Sequence, residues 1–249
     1  MKAGAAPSLS SRHRLEPATG SGHPEEPARA FLPTVLVVAD SSATRGRPLL
    51  PVVREAVAGG ARGVWVREKG SGPEDRRKLI GELSALLREA GGVLVASPGP
   101  GSELADGIHW PSLGPPIATG QGPVARGGRS CHGRAELERA AAEGYAWATL
   151  SPIFATASKP GYGPPLGLGP LSSTPLPTWA LGGVNESNAL SCTCSGAAGV
   201  AIMGAVLGAD SPRAAMEELL ALFRNGGWSG EVRGPAEPGG PAEPGGPGA

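Results

Sequence analysis

The residues able to do chemistry in this 249-residue chain gather at the ends of short apolar runs. His132 closes GRSCH, and an imidazole exchanges between neutral and protonated forms near pH 7, so it can take a proton and return it. Ser130 lies two residues earlier, on the same face of an extended chain. A nucleophilic triad would need a carboxylate to orient the base. The sequence fixes none there, so Ser130 is read as a hydrogen-bonding group toward a ligand. His109 in GIHWPS is a second imidazole at a run's end, open both to binding and to simple packing beside Trp110.

Arg67 and Lys69 in VREKG stand two apart and could hold an anion between them, or form a solvated loop that Glu68 balances. Thr156, Ser158 and Lys159 fall in SPIFATASKPGYGPPLG. Its hydroxyls, cation and glycine hinges suit a loop that closes over a phosphorylated ligand, and equally an irregular surface excursion. Gly182 and Gly183 follow TWAL, and Gly204 follows GVAIM. Glycine lets backbone amides approach a phosphate, although in a chain with 41 glycines these are also ordinary turn residues.

Such groups need a scaffold that brings run ends together. Eight apolar runs are legible: Val35 to Ala39, Gly63 to Arg67, Val93 to Ala96, Gly107 to Trp110, Gly128 to His132, Trp147 to Leu150, Thr178 to Leu181 and Gly199 to Met203. Helical periodicity appears at Leu50 to Ala58, Glu74 to Glu89, Arg134 to Glu143 and Pro212 to Phe223. The alternation predicts an α/β chain, a single-domain (β/α)8 barrel spanning residues 31–228, whose ligands bind at the C-terminal ends of the strands. The links after the third, fourth and sixth runs are short and rich in Gly and Pro, so helices there are expected to be reduced or missing. A doubly wound open sheet is the alternative, but VVADSSATRG after the first run lacks the G-x-G-x-x-G turn that such sheets carry.

Residues 1–30 have no sustained apolar period, and the end of the chain repeats PAEPGG from Pro235 and again from Pro241. A disordered leader and a disordered tail over 229–249 are expected. Acids and bases balance at 22 each, which argues against nucleic acid or an anionic membrane as partner. Cys131, Cys192 and Cys194 lack zinc or disulfide spacing and read as reduced thiols. With no apolar run of membrane length and no signal architecture, a cytoplasmic protein is expected; a homo-oligomer stays open.

The segment GRSCHGRAELERAAAEGYAWATLSPIFATASKPGYG, then ALGGVNESN, then GAAGVAIMGAVLGADSP, resembles the TenI/thiamine phosphate synthase family in order and spacing, and VLVVAD, VREK and ADGIHWPS extend the likeness upstream. The resemblance implies a small (β/α)8 barrel in thiamine biosynthesis with a thiazole phosphate as ligand. It places Arg67, Lys69, Ser130 and Lys159 toward a diphosphate, and Thr156, Ser158, Gly183 and the Met203-Gly204 turn toward the thiazole and its phosphate. It also makes His132 the proton-transfer residue. Two branches follow. The synthases join a pyrimidine diphosphate to the thiazole phosphate with magnesium, but this chain has Ala96-Ser97 and Pro111-Ser112 where they typically carry Asn-Asp and Asp. The TenI branch needs no such metal and tautomerises a thiazole carboxylate phosphate to its aromatic form. The expectation is therefore a cofactor-free tautomerase using His132, with no metal ligands. The synthase, with Mg2+, is the second reading, and a non-catalytic ligand-binding barrel the third.

Overall fold

The computed structural model describes residues 32–113, 127–156 and 164–226, so the leader, the tail, Ser158 and Lys159 lie outside the described residues. Eight parallel strands close into one barrel in sequence order: β1 (Val35–Ala39), β2 (Gly63–Val66), β3 (Val93–Ala96), β4 (Gly107–Trp110), β5 (Gly127–Cys131), β6 (Trp147–Leu150), β7 (Thr178–Leu181) and β8 (Gly199–Ile202). β1 pairs with both β2 and β8, which seals the barrel. This is the expected barrel, not the open sheet.

β1, β2 and β8 read as unbroken apolar runs because both of their faces are buried, whereas β4 and β5 carry His109, Arg129 and Ser130 among their residues. Val35, Val37 and Ala39 of β1 pack outward under the helices, whereas Leu36 and Val38 point into the barrel. The helices α1 (Leu49–Ala58), α2 (Pro73–Glu89), α3 (Arg134–Ala142) and α6 (Pro212–Asn225) match the four periodic stretches. α6 begins where Ser211 accepts a hydrogen bond from the Ala214 amide at 3.2 Å, with Pro212 at its first position. Two short helices, α4 (Ala189–Cys194) and α5 (Gly204–Leu207), escape periodicity because six and four residues cannot show a repeat.

Among the described residues, the β3–β4 and β6–β7 links hold only single 3-10 turns, Ser102–Leu104 and Gly169–Leu171, as their Gly and Pro content foretold. Beside the β4–β5 link a buried side chain packs against the strand. Arg129, 4% exposed, donates to the Ser112 carbonyl from Nε and Nη2, pairs with Glu143, and lies 5.1 Å from the centre of the Tyr145 ring.

Three indoles fill the barrel interior: Trp65, Trp147 and Trp179. Each of the last two faces a glycine on the neighbouring strand. Gly128 is the register partner of Trp147, and Gly199 that of Trp179. A Cβ at either glycine would collide with the indole opposite, so glycine is the residue that lets a ring this large lie flat across the next strand.

Candidate functional site at the barrel mouth

Side-chain alternation carries each interior row to the C-terminal mouth. Following Leu36 and Val38 comes Asp40; following Trp65 comes Arg67; following Ser130 comes His132; following Thr149 comes Ser151. Asp40 and Ser151 were not singled out from sequence, although this parity points to both.

On the β1–β2 side, Arg67 Nη1 donates to Asp40 Oδ2 at 2.7 Å. Asp40 Oδ1 accepts from the Ser42 amide at 3.0 Å and from its hydroxyl at 2.6 Å, which shapes the turn after β1. Glu68 does not balance Arg67. It is buried and ties two loops together, accepting from the Ser41 amide at 2.8 Å and the Gly70 amide at 2.7 Å. Burial alone would raise its pKa, but the Ser41 and Gly70 donors outweigh that and hold the carboxyl below its ordinary value. β2 ends at Val66, so strand alternation does not extend to Lys69, which is exposed on the loop. Arg76 of α2 reaches the next loop, where Nη2 donates to the Ser97 carbonyl at 2.6 Å and Nη1 to the Pro100 carbonyl; burial lowers its pKa.

On the opposite side, His132 is half-buried at the end of β5. Its Nδ1 lies 2.8 Å from the Ser151 carbonyl oxygen and 3.3 Å from Ser151 Oγ, while its backbone amide donates to Glu136 Oε2 at 3.0 Å. A carbonyl only accepts, so Nδ1 carries the proton and Nε2 is the basic nitrogen of the neutral ring. The adjacent Cys131 thiol points outward, and burial pushes its pKa up to about 12, so it stays a thiol at neutral pH.

His109 sits below the mouth, 1% exposed, inside the barrel. Its ring stacks on Trp147 at 4.6 Å and meets Trp65 edge-on at 4.1 Å. Its Nε2 lies 3.1 Å from Ser130 Oγ and 3.2 Å from Thr149 Oγ1. Burial pushes its pKa down to about 3, so it is neutral at physiological pH. It reaches the mouth through the half-buried Ser130.

Gly182 and Gly183 both have left-handed φ, +92° and +67°. The chain after β6 runs alongside them, with the Ile153 amide donating to Leu181 O and the Phe154 amide to Gly182 O, both at 2.9 Å. A Cβ at either glycine would strike Pro152 or Ala155. These glycines thus bring the half-buried Thr156 region to the end of β7. Gly204 differs: it is exposed at the start of α5, directly after Met203, and a Cβ there would meet nothing.

The mouth offers magnesium no cage built from protein side chains alone, although that ion is commonly held by one or two carboxylates together with phosphate oxygens of a ligand. Among the described residues, no three His, Cys, Asp or Glu side chains converge. Asp40 is engaged by Arg67 and Ser42, and Glu68 by two amides.

The fold and this mouth define a (β/α)8 barrel with its polar groups on the C-terminal rim, where barrel enzymes bind their ligands. A sequence profile described as thiamine monophosphate synthase matches residues 35–206. A putative thiamine-phosphate synthase of Geobacter sulfurreducens is 35% identical over 200 residues, covering 76% of this chain and 94% of that one. The thiamine-phosphate synthase of Chloroflexus aurantiacus is 34% identical over 195 residues, 75% and 90% of the two chains. The solved structure of thiamine phosphate pyrophosphorylase from Pyrococcus furiosus superposes with a TM-score of 0.68 at 26% identity, covering 77% of this chain and 96% of that one. The chain belongs to the TenI/thiamine phosphate synthase family, an enzyme family of thiamine biosynthesis. These relatives fit the synthase, the second reading from sequence, better than the tautomerase placed first. No helix among the described residues is long and apolar enough to cross a membrane.

Proposed function

We propose that this chain acts on a phosphorylated thiazole in the cytoplasm, and that its reaction is the one its relatives are named for. Hydroxymethylpyrimidine diphosphate and thiazole phosphate are joined as the thiazole nitrogen forms a C–N bond and the C–O bond to diphosphate breaks. The observation that carries this reading is identity of 34–35% along nine-tenths or more of two chains named thiamine-phosphate synthase, one of them as putative. In this reading Arg67 meets the diphosphate. A guanidinium has five N–H donors, so the bond to Asp40 orients it without exhausting it. Lys69, Ser130 and Lys159 add further donors. Gly182, Gly183, Met203 and Gly204 offer backbone to the thiazole phosphate, with Thr156 and Ser158 beside them.

The geometry of His132 favours a second reading, the tautomerase. With Nδ1–H given to the Ser151 carbonyl, Nε2 can take a proton from the ring carbon and return it to the exocyclic carbon as the thiazole becomes aromatic.

The two are separated by assaying purified protein for thiamine phosphate formation from both phosphorylated substrates with magnesium, and for metal-free aromatisation of the thiazole carboxylate phosphate. The expected result is thiamine phosphate, with His132→Ala retaining most of the rate. Metal-free aromatisation abolished by His132→Ala overturns this in favour of the tautomerase, and neither activity leaves a binding protein.

A further inference from the structure

Among the described residues, one buried side-chain nitrogen stands without a hydrogen-bond partner, and it lies just beneath the mouth. His109 is sealed between two indoles, its Nδ1 has no hydrogen-bond partner, and its Nε2 faces two hydroxyls. A neutral imidazole owns one N–H, and a buried N–H left unpaired is rarer in folded proteins than an unpaired acceptor. The proton therefore belongs on Nε2, where Ser130 Oγ and Thr149 Oγ1 can accept it.

The backbone arranges this meeting. His109 is the register partner of Gly128, and Ser130 that of Thr149, so the three polar side chains come from three successive strands. The absence of a side chain at Gly128 opens the space in which the imidazole stacks on Trp147. Once Ser130 Oγ accepts from below, its own hydroxyl proton is directed away from the interior. Ser130 is half-buried and stands at the mouth, two residues before His132.

We propose that His109 is a positioning residue whose Nε2–H fixes the Ser130 hydroxyl so that Ser130 donates to an anionic oxygen of the ligand at the mouth. His109 never touches the ligand; it sets which way Ser130 points. The proposal rests on the reading that the mouth takes a phosphorylated ligand, and it adds the group that prepares one donor for it. An uncharged ring suits the task, because a cation there would have to be desolvated between two indoles.

The test is a double-mutant cycle on the full chain, with inorganic diphosphate as probe and binding followed by calorimetry. His109→Phe keeps a flat ring between Trp65 and Trp147 but removes Nε2. It and Ser130→Ala are each expected to weaken binding about 10-fold, the range for one hydrogen bond to a charged group, and the double variant no further. His109→Gln, which restores an N–H donor, is expected to recover most of the loss. Losses that multiply in the double variant, or His109→Phe binding like wild type, overturn the proposal. Wild-type protein that binds no diphosphate overturns instead the reading of the mouth on which it rests.

A second measurement needs no ligand. In 15N spectra of the wild type, His109 should be protonated on Nε2 at pH 7, and that nitrogen should shift in Ser130→Ala. A proton on Nδ1, or an Nε2 signal indifferent to Ser130→Ala, overturns the proposal even if the variants fold poorly.

Discussion

His109 stands on β4 and His132 directly after the neighbouring β5, yet their surroundings differ sharply. His109 is stacked on Trp147 and stripped of water, which depresses its pKa to about 3. His132 is half-buried, with a backbone carbonyl holding Nδ1. The barrel interior thus rejects charge, while its rim collects it: Asp40, Arg67 and Glu68 all lie past the last residue of their strands. Identical side chains one strand apart are thus a sealed, neutral ring in one region and a half-buried ring tied to a loop carbonyl in the other. What differs is the layer each occupies.

The comparison can be broken from either side. The largest effect belongs to the interior. Gly128→Val would drive a branched side chain into the Trp147 ring and is expected to destabilise the fold by about 3 kcal/mol or more in urea denaturation. A wild-type midpoint would show that the interior is not tightly packed. At the rim, Arg67→Ala should weaken inorganic diphosphate binding about 10- to 100-fold and shift the urea midpoint far less than Gly128→Val does. An Arg67→Ala variant whose urea midpoint falls as far as that of Gly128→Val, with diphosphate binding unchanged, would reverse the assignment.

Acid sharpens the contrast. His109 stays neutral in the folded chain down to about pH 3, whereas in the unfolded chain it gains a proton near its ordinary pKa of 6.5. Its contribution to stability is therefore complete above about pH 6.5 and falls as pH drops, by about 2 kcal/mol at pH 5. Urea denaturation at pH 7 and pH 5 measures the loss, and His109→Phe should remove this part of it. Glu68 runs with the same sign lower down. Its folded pKa is depressed, so its support is present above the ordinary carboxylate range and lost as pH falls through the folded value. Glu68→Gln should cost about 1 kcal/mol at pH 7, as two amides exchange a charged acceptor for a neutral one. Lys69→Ala, at an exposed loop position, should change stability by less than about 0.5 kcal/mol.

The barrel was readable because several of its strands are buried on both faces and so appear as short apolar runs such as VLVVA and GVAI. The long helices were readable because their lengths contain several turns of the period. The site was readable only in part. His132 and Ser130 could be placed by parity within one strand, but the partner of Arg67 lies 27 residues away on β1's edge, a choice made by barrel closure and invisible to local spacing. For the same reason Glu68, adjacent to Arg67 in sequence, looked like its counter-ion while in fact it serves amides of two different loops. His109 looked like a residue at the mouth; that it lies beneath, wedged among tryptophans, depends on Gly128 and Trp147, neither of which announces itself as its neighbour.

The pairing of Gly128 with Trp147, and of Gly199 with Trp179, also bears on how such a chain can change over time. In the first pair one position holds all the volume and the other none, so neither can mutate alone without a clash or a void, whereas Gly199 is also confined by the Thr34 carbonyl whatever stands at 179. Trp147→Leu would empty a space that only a larger residue at 128 could refill, and the order of events would matter, since the glycine cannot grow first. Gly128 and Trp147 therefore behave as one unit with two addresses, exchanged together or kept together, while Gly199 stays fixed by the backbone beside it.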